Sequence, residues 1–307
     1  MKKKIITSIF ISVLAISSLS ACGNPSQKST EAREQAAEMA AEAGTDSKSA
    51  TEKTEADAND YYEAGYACLY GLNGQKIDYE AALNNFQQAL EKGKTEANLY
   101  LGLLYDWHIG PEYDYAKAKA YYEAAGDNPY AQSLLGFMYY FGHGVEEDPV
   151  KAQELFDEVI AAGCADGYYG SATIAWDEKD YATAFEYLNK AAEGESQIFT
   201  SATMYDLGYL YLRGRGVEQN YGKALECYEK AADLGDSSAM DMIGYLYESG
   251  EGVEQDYKIA LEWYERAANL GNFVSMEHIA YMYENGLGVA KDSVKAKEWY
   301  EKAEAAE

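Results

Sequence analysis

Residues 242–257 decide the fold of this chain, and they read MIGYLYESGEGVEQDY. Gly244 stands among large apolar side chains, although glycine inside a helix costs about 1 kcal/mol relative to alanine. Its use there indicates that another element packs closely against this segment. The Gly-x-Gly-Val run that begins at Gly250 is typical of a turn, because glycine adopts backbone conformations that other residues avoid. Asp256 then suits the N-cap of a second helix.

The cap and the helix that follows it occur seven times along the chain. The cap position is always an acid or an amide, and successive caps lie 32 to 40 residues apart. An alanine follows four residues after each cap, a large apolar residue after eight, and an alanine or valine after eleven. These offsets fall on one face of a helix. The seven caps are Asp78, Asp114, Asp148, Asp180, Asn220, Asp256 and Asp292.

A repeat period in this range is the signature of stacked supersecondary units. The sequence therefore predicts an all-α protein, an α/α superhelical solenoid of about seven helix pairs. A phosphate-binding loop is a poor alternative for the Gly-x-Gly-Val turn, since no strand precedes it and the third glycine is missing.

The pattern resembles the Sel-1-like repeat, a relative of the tetratricopeptide repeat, over roughly residues 59–307. Gly244, Tyr247, Gly250–Val253, Asp256 and Ala260 carry the resemblance most clearly. It implies helix pairs that stack into a right-handed superhelix, each contacting mainly its neighbours. The first unit lacks the glycine turn and the fourth has a shortened loop.

The N-terminus predicts secretion. A basic head at residues 2–4 precedes a mostly apolar run, and small residues stand just before Cys22. Such a segment is typical of a signal peptide, here residues 1–21. The junction resembles a bacterial lipobox, which implies that the Cys22 sulfur is lipidated and anchors the chain outside the cytoplasmic membrane. An ordinary secretory peptide with an incidental cysteine is the alternative.

Residues 22–57 contain no aromatic residue and are rich in Ser, Thr, Ala, Glu and Lys. Such a composition buries too little apolar surface to offset ordering entropy, so we interpret it as a disordered tether. The solenoid is then residues 58–307. The expected location is the bacterial cell envelope, on the extracytoplasmic side of the cell membrane or the outer membrane.

The charge restricts the partners. The net charge is −27, and removal of the three lysines with the signal peptide leaves −30. Binding to nucleic acid or to an anionic membrane surface is not expected, whereas a basic protein or peptide would be attracted. The alternative is that the charge serves only to keep the repeat array soluble. Three cysteines remain beyond Cys22, namely Cys68, Cys164 and Cys227. They do not have the spacing of metal ligands, so we expect them to be buried thiols.

The sequence contains little that indicates catalysis. Its three histidines, His108, His143 and His278, stand apart from one another, and no nucleophile elbow or HExxH helix is present. We therefore predict that the chain is not an enzyme and needs no cofactor or metal.

Tyrosine is abundant, with 30 residues. If the first helices line a concave side, as the resemblance implies, aromatic and acidic groups form a ladder along a partner-binding groove. The candidate residues are Phe137, Tyr205, Tyr209, Asp241, Tyr245, Glu277 and Tyr281. Packing between repeats is the alternative role. The leading hypothesis is a protein-binding scaffold or adaptor, and a binder of cell-wall glycan or another small ligand is the competitor.

Overall fold

The structure, a computed structural model, describes residues 47–306 apart from 73, 75, 107–112, 195 and 197, with side chains from residue 57 onward. The predicted signal peptide, Cys22 and most of the predicted tether lie outside the described residues. The described part is helical and contains no strand.

Fourteen helices form seven pairs in this part of the chain, which confirms the all-α solenoid. The helices are α1 (Ser47–Tyr70), α2 (Tyr79–Glu91), α3 (Ala97–Asp106), α4 (Tyr115–Ala124), α5 (Pro129–Phe141), α6 (Pro149–Ala161), α7 (Asp166–Asp177), α8 (Tyr181–Glu193), α9 (Thr200–Arg213), α10 (Tyr221–Asp233), α11 (Ser237–Ser249), α12 (Tyr257–Asn269), α13 (Phe273–Asn285) and α14 (Ser293–Ala306).

The described chain divides into two compact units, one up to Gly170 and one from Ser171 onward. In the first unit each of α1 to α5 packs against the helix that follows it, and in the second unit each of α8 to α13 does the same. Contacts between sequence neighbours are the packing expected of a repeat array.

All seven predicted caps are confirmed. Each cap side chain accepts a hydrogen bond from a backbone amide in the first turn of the second helix of its pair. This bond satisfies a donor that the helix itself leaves without a partner.

A large side chain eight residues after the cap packs onto the glycine of the first helix. Tyr264 is fully buried, and a Cβ on Gly244 would lie 2.6 Å from its Cε1. The same contact recurs between Gly102 and Tyr122. In the last repeat Ala280 replaces the glycine, and the ring of Tyr300 is 38% exposed.

The Gly-x-Gly-Val turn joins the two helices of one repeat and packs against the preceding repeat. Gly250 ends α11 with a φ of 74°, and Gly252 has a φ of 81°. A Cβ on Gly252 would lie 2.3 Å from the Cβ of Tyr221, the first residue of α10 in the preceding repeat. The second glycine is therefore required both for the backbone conformation and for close approach.

Helix α1 begins at Ser47, within the predicted tether, because Ala, Glu and Lys there favour a helix. Of the three remaining cysteines, Cys164 is buried, as predicted, whereas Cys68 and Cys227 are half-buried. Burial raises the pKa of the Cys227 thiol. None of the described helices is both long enough and apolar enough to span a membrane.

Candidate functional site

Six of the predicted ladder residues lie on the first helices of the last three repeats, all within the second unit. They occupy two repeat-equivalent positions, and we call them together the tyrosine–acid face: Tyr205 and Tyr209 on α9, Asp241 and Tyr245 on α11, Glu277 and Tyr281 on α13. Glu277 and Tyr281 are exposed, Tyr281 by 48%, and the other four are half-buried. The face is therefore accessible chiefly toward α13.

Phe137, the remaining candidate, belongs to the first unit. It is 9% exposed, and its ring lies 5.0 Å from that of Phe156 and 6.0 Å from that of Tyr169. Phe137 therefore packs in an aromatic core, which is the alternative role that the sequence left open.

Aromatic and cationic groups surround Tyr209. Its ring centroid lies 5.5 Å from that of Trp176, and the Arg215 guanidinium lies 5.5 Å from its centre. Arg215 also contacts Tyr181, at 5.0 Å from the ring centre. The Arg213 guanidinium lies 5.9 Å from the centre of the Tyr209 ring, so two arginine side chains lie at the α9 end of the face.

Toward α13 the face contains a group of side chains that the sequence did not connect. We call it the acid–histidine cluster: Asp241, Glu248, Tyr264, Ser275 and His278. Glu248 Oε2 accepts a hydrogen bond of 2.6 Å from the Tyr264 hydroxyl and lies 3.7 Å from His278 Nδ1. The imidazole of His278 stacks on the Tyr264 ring at 4.6 Å, with 6° between the planes.

Asp241 supplies the second carboxylate. Its Oδ1 accepts a hydrogen bond of 2.6 Å from the Ser275 hydroxyl. Burial raises the pKa of Asp241, and the charge of Glu248 adds to this rise, whereas the Ser275 hydrogen bond and His278 oppose it. The charge of Glu248 therefore disfavours the ionised form of Asp241, and a nearby cation would favour that form.

Helix geometry brings these side chains together. Asp241 and Glu248 are seven residues apart on α11 and so share one face, and Ser275 and His278 are three apart on α13. Tyr264 reaches them from α12 because Gly244 leaves room for its ring. The sequence did not connect His278 with Tyr264, and the packing of α13 on α12 brings the two rings together.

The remaining histidines are His143 and His108. His143 is half-buried and stacks on Tyr115 at 4.6 Å, in the first unit. His108 lies outside the described residues.

The tyrosine–acid hydrogen bond is a repeat feature that the sequence analysis missed. Asp106 accepts from Tyr122 at 3.1 Å, and Glu284 accepts from Tyr300 at 3.4 Å. In each case the acid stands sixteen residues before the tyrosine, a spacing that was visible in the sequence. Leu212 occupies this position before Tyr228, whose buried hydroxyl has no hydrogen-bond partner among the described residues.

The cluster contains a serine, a histidine and an aspartate, but their order is not that of a hydrolytic triad. Ser275 is buried and donates to Asp241, whereas His278 faces Glu248. A triad requires the histidine between serine and acid. Within the described ranges no group of three His, Cys, Asp or Glu residues could hold a metal. The geometry is that of a partly exposed polar cluster.

The fold defines the class of protein as a helical-repeat solenoid. The chain belongs to the Sel1 repeat family, whose sequence model matches residues 58–94, 95–128, 129–163, 167–196, 201–236, 237–272 and 274–306. Repeats of this family generally mediate protein–protein interaction, and its solenoids are typically non-catalytic adaptors.

Two curated proteins illustrate the similarity. Protein sel-1 homolog 2 from Homo sapiens is 32% identical over 189 residues, which cover 54% of this chain and 26% of that protein. HRD3B, an ERAD-associated E3 ubiquitin-protein ligase component from Arabidopsis thaliana, is 34% identical over 100 residues, which cover 32% of this chain and 16% of that protein. The chain thus spans about a quarter or less of these relatives.

Solved structures support the same family. A protective antigen of uropathogenic Escherichia coli strains is 32% identical, with a TM-score of 0.56 over 85% of this chain and 56% of that one. A Sel1 repeat protein from Oxalobacter formigenes is 29% identical, with a TM-score of 0.55 over 62% of this chain and 82% of that one.

Proposed function

We propose that this protein is an adaptor, anchored by a lipid on Cys22 outside the cytoplasmic membrane, that binds a basic protein or peptide on the tyrosine–acid face. The observation that carries the binding role is the acid–histidine cluster beside exposed Tyr281 and Glu277. Tyrosine supplies rigid contact area, and the carboxylates supply charge complementarity and orientation.

The test of partner binding uses the chain from Gly23 onward, crosslinked in an envelope extract. We expect capture of basic proteins at low salt and their release by about 0.5 M salt, because screening shortens the Debye length to a few ångströms. A variant that carries Asp241→Asn, Glu248→Gln and Glu277→Gln should lose at least about five-fold of the captured material, measured by quantitative mass spectrometry.

The matched control makes the same charge change on exposed residues of the second helices, with Glu226→Gln, Glu229→Gln and Glu262→Gln. It should retain capture, because only the overall charge has changed. Equal loss in both variants would contradict binding at this face, and absence of any crosslinked protein would contradict the adaptor role.

The anchor is tested separately by Cys22→Ser in the full chain. We expect the wild type to incorporate a radiolabelled fatty acid in a bacterial host and to sediment with membranes. The variant should lose the label, because serine has no thiol to lipidate. Labelling of the variant at the wild-type level would contradict the anchor.

Binding of a cell-wall glycan remains a second candidate because Tyr281 is 48% exposed while Tyr245 is half-buried. Partly exposed aromatic rings can stack on sugars. Titration with soluble wall fragments distinguishes the two, since a glycan that binds by stacking should be insensitive to the carboxylate substitutions above.

A further inference from the structure

We infer that the acid–histidine cluster is a receptor for a single arginine or lysine side chain of the partner, seated between Glu248 and Asp241. This inference rests on the proposed function, because it assigns the partner's anchoring residue at the same face. Four observations carry it. Packing between the repeats does not require these polar groups, the cluster contains two carboxylates, its side chains are partly exposed, and aromatic rings lie beside it.

Packing between repeats does not require a histidine at position 278. In two repeats, the residue two positions before the glycine or alanine of the first helix stacks on the aromatic ring of the preceding repeat. Tyr100 does so in the second repeat, where it stacks on Phe86 at 4.9 Å and 10°. An uncharged aromatic ring therefore satisfies the same contact, and the imidazole of His278 adds an ionisable group beyond it.

Packing does not require both acids either. Tyr205 holds the position of Asp241 one repeat earlier, and buried Leu212 holds that of Glu248. Among the residues that the structure describes, these two carboxylates occur together with a histidine only where α11, α12 and α13 meet.

The charge of the cluster favours a cation. His278 is the basic side chain beside Glu248, and no lysine or arginine among the described residues forms an ion pair with Glu248 or Asp241. Burial of Asp241 penalises its ionised form. A guanidinium or ammonium group placed here would stabilise both ionised carboxylates, and partly desolvated pairs of this kind are stronger than exposed ones.

The cluster is reachable from solvent. The side chain of His278 is 33% exposed and that of Glu248 is 20% exposed. Tyr281 lies three residues after His278 on α13, on the same side of the helix, and is exposed. A planar guanidinium can stack on such rings while its N–H groups reach a carboxylate, so arginine should bind more tightly than lysine.

The experiment uses the three histidines of the chain as reporters. The protein is labelled with [13C]histidine and titrated with Nα-acetyl-arginine methylamide, Nα-acetyl-lysine methylamide and the uncharged Nα-acetyl-norleucine methylamide. We expect the His278 signal to shift saturably with the two cations, more strongly with arginine, and the His143 signal in the first unit to stay in place.

Glu248→Gln retains an oxygen that accepts from the Tyr264 hydroxyl, so the fold should survive, which circular dichroism checks. It should weaken arginine binding at least about five-fold, because one ionic partner is lost. Glu284→Gln is the matched control: it stands at the same position one repeat later and bonds Tyr300, and it should change the affinity less than about two-fold.

An equal shift with norleucine, no saturable shift with arginine, or unchanged arginine affinity in Glu248→Gln would each overturn the inference. These outcomes leave the proposed function intact if the crosslinking experiment still captures a partner through the face. Saturable arginine binding without any captured partner would instead contradict the adaptor role and retain the side-chain site.

Discussion

Replacing Gly244 with alanine is expected to destabilise the protein by about 2–3 kcal/mol, although alanine is the better helix former. The new Cβ would lie 2.6 Å from Cε1 and 2.7 Å from Cδ1 of Tyr264. This ring cannot easily withdraw, because its hydroxyl bonds Glu248 and its face is covered by His278. The free energy of unfolding, measured by urea titration with circular dichroism, gives the result.

The matched control is Gly222→Ala on α10. This glycine is exposed, and a Cβ there meets only the Oδ1 of Asn220, at 3.5 Å. Helix propensity should then dominate and stabilise the protein by about 0.5 kcal/mol. If Gly244→Ala also stabilised the protein, the Tyr264 ring would have moved outward, and our account of this contact would be wrong.

Asp106→Asn is expected to stabilise the protein above pH 7 by about 2–4 kcal/mol and to have little effect near pH 4. Asp106 is buried at the end of α3 and accepts a hydrogen bond from Tyr122. Burial raises the pKa of Asp106 to about 7, although the Tyr122 hydrogen bond opposes the shift.

The direction of the pH dependence follows from that shift. An aspartate in the unfolded chain ionises near pH 4, whereas the folded carboxyl stays protonated until about pH 7. Between these values the unfolded state releases a proton that the folded state keeps, so wild-type stability falls as pH rises through this window. Above about pH 7 both states are ionised and this contribution becomes constant.

Asparagine cannot ionise, yet its side-chain oxygen can still accept from Tyr122, so the variant should lack this dependence. Urea unfolding of both proteins at pH 4.5 and pH 8 measures the difference. The exposed Asp127→Asn, in the same unit, removes the same charge and should show little change at either pH. An Asp106→Asn effect that is equal at the two pH values would contradict the buried, protonated carboxyl.

Much of the fold was predictable from the sequence because repeat structure depends on local rules. All seven caps are where the acid or amide spacing placed them, since an N-cap needs only a short polar side chain at the helix start. The glycine that most first helices carry predicted close packing, and the ring that fills the space stands eight residues after the cap.

The candidate site was only partly predictable. The ladder positions followed from the repeat register, and the structure shows Tyr281 exposed but Phe137 in an aromatic core. Identical register positions thus differ in exposure, because exposure depends on the neighbouring repeats. The sixteen-residue spacing between acid and tyrosine was a signal that could have identified Glu248 as the partner of Tyr264.

The sequence by itself determined the helix pairs, their caps, their turns and the repeat period, since each depends on residues close together in the chain. Only the tertiary structure decided that His278 joins Glu248 and Tyr264, thirty and fourteen residues away. It also decided that burial sets the pKa of Asp106 to about 7. Both depend on how one helix lies against the next, because contact and desolvation are properties of packed neighbours, whereas capping and turn formation are properties of local backbone geometry.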